Sequence, residues 1–81
     1  MPSIPSETIG QLVAELRRYV LAHPHAADAL DGVTRWWLPA NLAQTALRDD
    51  VEEALAQLFE LGLIERRALP DGSILFAARA P

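Results

Sequence analysis

The stretch that most constrains this chain runs from Leu47 to Arg79. Leu47, Val51, Ala54, Leu55, Leu58 and Phe59 recur at spacings of three and four, which lays one apolar stripe along a helix. Gly62 follows as the expected C-terminal stop. Two runs then read as strands, Leu63 to Leu69 and Ile74 to Arg79, separated by Pro70-Asp71-Gly72-Ser73. Pro-Asp-Gly suits a type I turn closed by a glycine in the left-handed region, a common hairpin connection. An isolated two-stranded hairpin is marginal in water, so this one has to lie back on the helices. Ile74, Phe76 and Ala78 share one face of its second strand, and Leu75, Ala77 and Arg79 the other. One face is expected to cover the helices, leaving Leu75 and Ala77 as an exposed apolar contact zone and the hairpin edge open to a second copy.

The front half supplies two more helices. Ser6 is placed as an N-cap with Glu7 in the first turn. Ile9, Leu12, Val13, Leu16, Tyr19 and Val20 form a buried stripe, and Glu15 and Arg18 make an i,i+3 pair on the wet side. Pro24 ends this helix near residue 22. Asp28 is a candidate N-cap for a second helix with Leu30, Val33 and Trp37 on one face, ended by Pro39. Gly32 inside it costs roughly 1 kcal/mol relative to alanine and suggests close approach by another helix. The link over 40–46 contains Leu42, expected to tuck inward, and a helical portion would shorten the turn. The third helix starts between Thr45 and Asp49, with Asp49 and Glu52 spaced like a capping box. The expected organisation is a loose arm over 1–5 and one domain over 6–81. That domain is mainly α with a small β-hairpin: helices near 6–22, 28–38 and 46–61, and strands near 63–69 and 73–79.

Charge and composition narrow the function. The chain has 81 residues, a size for one domain. Without cysteine it has no disulfide, thiolate metal site or cysteine nucleophile. With no apolar run near 18 residues and no basic-then-apolar leader, it reads as cytoplasmic. His23-Pro24-His25 offers two ligands but no third, so no metal is expected. Two loop histidines and no glycine-rich phosphate loop give no convergent catalytic group, so neither an enzyme nor a cofactor or small-molecule ligand is expected. The net charge of −4 is local: without Asp49, Asp50, Glu52 and Glu53, seven acidic residues stand against seven arginines.

Trp36-Trp37 is the most unusual dipeptide. Adjacent helix residues point about 100° apart. Either both rings pack at the helix junction, or one stays exposed and anchors a partner, as tryptophan often does. Arg35 adjoins them and is of a type that stacks on aromatic rings.

VEEALAQLFELGLIERR, from Val51 to Arg67, followed by PDGSILFAAR, resembles the recognition-helix and wing region of small bacterial winged helix-turn-helix proteins. The likeness is clear over 47–79 and loose before that. It implies a three-helix winged-helix fold and DNA binding, with the third helix in the major groove and Arg48, Arg66, Arg67 and Arg79 as DNA-contacting candidates. This sequence departs from the pattern at the helix start, where carboxylates replace the donors that bases and phosphates require. At about 7 Å and an effective dielectric near 40, each carboxylate–phosphate approach costs roughly 1 kcal/mol before screening. The favoured expectation is therefore a non-catalytic winged-helix module for protein–protein binding or homodimerisation through Trp36, Trp37, Asp49, Asp50, Glu53, Gln57 and Leu75. The alternative is a DNA-binding transcriptional regulator.

Overall fold

The structure, a computed structural model, describes residues 5–79. The element order is α1 (Pro5–Ala22), β1 (Ala27–Asp28), α2 (Leu30–Gly32), a π-helical turn (Val33–Trp37), α3 (Ala40–Thr45), α4 (Arg48–Glu60), β2 (Ile64–Ala68) and β3 (Ile74–Ala78). The chain is mainly helical with a small antiparallel sheet. Residues 1–4 of the expected arm lie outside the described residues. Pro5 already belongs to α1, which suits a residue with φ pre-set for a first turn, so Ser6 falls within that turn and not at its cap.

The core forms where α1 and α4 pack together. Leu12, Leu16 and Val20 from α1 meet Val51, Ala54, Leu55 and Leu58 from α4, and Val33, Trp37, Leu38 and Ile64 complete the cluster. These are the stripes expected from periodicity, with two corrections. Leu47 is exposed because α4 begins one residue later and Leu47 stands before it in extended backbone. Phe59 is 41% exposed at the rim of the stripe, beneath the Arg66 guanidinium at 4.2 Å from its ring centroid.

α4 ends in a Schellman turn. Leu63 N–H donates to the Leu58 carbonyl and Gly62 N–H to that of Phe59, both at 3.0 Å, with Gly62 at φ +79°. The hairpin closes through Leu69 N–H to Ser73 O (2.8 Å) and Gly72 N–H to Leu69 O (2.9 Å), with Gly72 at φ +90°. Asp71 accepts from the backbone N–H and hydroxyl of Ser73, which hold its carboxyl below its ordinary pKa. Nothing crowds either glycine, so Gly62→Ala and Gly72→Ala are expected to cost about 1–2 kcal/mol each through backbone strain alone. Urea unfolding measures this, and asparagine should be tolerated better than alanine at both positions.

The hairpin is part of a three-stranded sheet in the order β1-β3-β2. Ala27 pairs with Ala77 and Asp28 with Phe76, supported by Ala78 N–H to Ala26 O at 2.8 Å. This corrects the two-stranded expectation. It also corrects the sheet's outer face: Ala77 is 4% exposed because the central strand holds it between Ala27 and Glu65, and Leu75 is half-buried. Phe76 and Ala78 pack against the core.

The second expected helix changes most. Asp28 lies in β1, and Ala29 is the residue before α2. The Asp28 carboxylate does not cap; it accepts a 3.0 Å hydrogen bond from Trp37 Nε1. A Cβ on Gly32 would come within 2.6 Å of Asp28 Oδ1, so the close approach at Gly32 is made by this side chain and not by another helix. The segment over 40–46 contributes α3, a fourth helical piece beyond the three expected.

Candidate functional site

The exposed side of α4 follows from its helical phase. With Val51, Ala54, Leu55 and Leu58 inward, the opposite side carries Asp49, Glu53, Gln57 and Glu60 exposed, and Asp50 is half-buried. α4 begins at Arg48 with no side-chain cap hydrogen bond, so the Asp49–Glu52 capping box does not form. Asp49 and Asp50 sit in the first turn, where the helix dipole favours negative charge. Glu52 turns to Arg48 at 3.9 Å. Among the described residues, Asp49, Asp50, Glu53 and Glu60 make no ion pair. The result is an acidic stripe along most of the helix.

The candidate arginines are spread over four settings. Arg48 is held by Glu52 on α4 itself. Arg66 and Arg67 are consecutive strand residues, so they project from opposite faces of β2. Arg66 lies over Phe59, whereas Arg67 pairs with Glu65 at 2.6 Å on the outer face. Arg79 follows β3 and donates its N–H to the Leu63 carbonyl, five residues from Ile74 and therefore roughly 16 Å along the strand from the turn. A shallow groove separates α4 from the hairpin, lined by Glu52, Ala56, Arg66, Ala68, Ile74 and Phe76. Its floor is apolar, and its rim carries one negative and one positive charge.

The tryptophan pair divides. Trp37 is 2% exposed and fixed by Asp28, so it has no surface to offer and leaves the set of partner-binding candidates. Trp36 is 65% exposed. The two residues point apart at the end of the π turn, with one ring in the core and the other in solvent. Trp36 borders a recess with Tyr19, His23, Leu38 and Pro39. There the Tyr19 ring stacks on Trp37 at 5.4 Å and meets the tilted His23 ring at 4.2 Å. The i,i+4 spacing of Tyr19 and His23 could have indicated this cluster; its contact with Trp37 is tertiary and had no sequence signal. His23 and His25 are exposed, and no group of three His, Cys, Asp or Glu able to hold a metal occurs among the described residues. Among the same residues no helix is long and apolar enough to cross a membrane.

Comparison with protein families, with characterised proteins and with solved structures gives no match for this chain.

Proposed function

We propose that this chain is a non-catalytic winged-helix module that binds a protein through α4 and the adjoining hairpin. The element order supports the fold assignment: a helix, a short strand, helical segments, then a long helix running through a glycine turn into a hairpin whose second strand pairs with the first. α4 occupies the place of a recognition helix and the hairpin that of a wing. One observation carries the functional reading, the acidic stripe of Asp49, Glu53 and Glu60 on the exposed side of α4, which forms no ion pair among the described residues. Such a face repels phosphate and attracts a basic surface. The groove beside it adds apolar contact, with Phe76 and Ile74 on its floor. Fold alone does not determine what a winged helix binds, so the charge decides.

The DNA-binding reading draws support from the exposed arginine beside the groove, Arg66. It requires Arg48, Arg66, Arg67 and Arg79 to act on one duplex, although they lie on α4, on opposite faces of β2 and beyond the end of β3.

The interaction reading is tested by titrating the ¹⁵N-labelled chain with a short arginine-rich peptide. Shift changes should concentrate on residues 49–60 and the groove, and weaken as salt is raised. Changes spread evenly over all exposed carboxylates would contradict it.

A further inference from the structure

We infer that the Trp36 surface is a self-association site, where a second copy of this chain docks about a two-fold axis and each Trp36 enters the aromatic recess of the other copy. The inference specifies the partner class within the interaction-module reading and rests on that reading only for the class. It uses α1 and the π turn rather than α4, so either can fail without the other.

A two-fold interface requires one patch to be complementary to itself. This patch has both halves of such a fit. Trp36 projects, with 65% of its surface exposed. Beside it lies a shallow recess lined by Tyr19, His23, Leu38 and Pro39. On the rim, Arg18 and Glu15 stand 3.7 Å apart with the Arg18 side chain 77% exposed. A two-fold axis between them would exchange this intrachain pair for two pairs between Arg18 of one copy and Glu15 of the other, so the charges complement as the shapes do. The surface extends beyond one ring, since a neighbouring recess shares Glu15, Arg18 and Pro39 and reaches Gln11 and Leu42. From Gln11 to Ala22 the strip follows α1 for roughly 16 Å.

Net charge also favours this face. A chain of charge −4 repels its own copies, and α4 carries much of that charge. No α4 residue lines the Trp36 recess, and its one acidic and one arginine residue cancel. Two copies can therefore meet here without opposing their acidic helices. Tryptophan is the residue type that most often dominates binding energy when it fills a pocket.

The test combines sedimentation equilibrium with acrylamide quenching from about 1 µM to about 500 µM protein, a range that spans the affinities of modest homodimers. Because Trp37 is 2% exposed, quenching reports on Trp36. The expected result is a mass rising from 8.9 kDa toward twice that value, with quenching of Trp36 falling in step. Trp36→Ala and Arg18→Glu should each weaken association by at least about tenfold, with far-UV circular dichroism unchanged because both side chains are exposed. The charge-swapped Glu15→Arg/Arg18→Glu chain should recover it, since the swap preserves two-fold complementarity. A wild type that stays monomeric over the range, a Trp36→Ala chain that associates as well as wild type, or a folded swap variant that recovers nothing would each overturn the proposal. The arginine-peptide shifts on α4 should persist in Trp36→Ala, which separates failure here from failure of the α4 reading.

Discussion

Trp37→Ala is expected to remove a large share of the chain's stability and to shift its urea midpoint sharply downward. Removing a fully buried large aromatic costs about 3–5 kcal/mol, while a chain of 81 residues has about 4–12 kcal/mol of total stability. Trp37 is also the side chain that ties the layers together. It packs with Leu12, Leu16 and Val33 in the core cluster, stacks on Tyr19, and its Nε1 donates to Asp28 of β1. Its loss would leave a cavity, and Asp28 would be without a partner between the sheet and α2. Trp37→Phe separates the two effects: most of the ring remains, the donor is lost, and the cost should fall to about 1–3 kcal/mol. Trp36→Ala, one residue earlier, should stay within about 0.5 kcal/mol in a dilute monomer, as surface substitutions usually do. Urea unfolding followed by circular dichroism measures all three. A Trp37→Ala chain within about 1 kcal/mol of wild type would mean that the indole is not the centre of the core.

The second large effect concerns charge. Replacing Asp49, Asp50, Glu52 and Glu53 by lysine moves the formal net charge from −4 to +4, since each replacement adds two. It also frees Arg48 from Glu52, beside the groove that carries Arg66. Duplex DNA binding should then appear, and it should fall by roughly a hundredfold to a thousandfold between about 50 and 200 mM salt if four or five phosphates are engaged. Lysines in the first turn oppose the helix dipole at about 0.3–1 kcal/mol each, so α4 stability has to be checked alongside. The matching glutamine variant removes four negative charges without adding positive ones, for a net charge of zero. It should bind more weakly than the lysine variant but more strongly than wild type. Glutamine and lysine variants that both ignore DNA would show that the arginines, and not the carboxylates, are the limiting feature.

Much of this architecture could be read from the sequence because it depends on local regularities. The stripes of α1 and α4 are spaced by the helical period and lie where expected, apart from the exposed Leu47 and Phe59 at the two ends of the α4 stripe. Among the described residues, Gly62 and Gly72 occupy the two backbone positions with positive φ, where turn chemistry asks for glycine. What escaped the sequence depends on tertiary contacts. β1 is two residues of alanine and aspartate, with no β-branched or alternating pattern to mark it; it exists because the backbone of β3 is there to pair with. Asp28 looked like a cap because aspartate before a helix usually is one, but a tryptophan nine residues on competes for its carboxylate. The π turn that carries Trp36 and Trp37 was equally invisible. For the candidate site, the acidic stripe could be read from composition and phase. The dispersal of Arg48, Arg66, Arg67 and Arg79 could not, because it depends on strand faces and on which glutamate each arginine finds.

Under the proposed function, the acidic face of α4 meets something other than nucleic-acid phosphate. The most direct measurement is a titration of a fluorescent mixed-sequence duplex with the wild-type chain at about 50 mM salt, where non-specific contacts are strongest. No change in anisotropy is expected up to tens of micromolar protein. Binding in the low micromolar range, weakening with salt along the slope of released counterions, would contradict it.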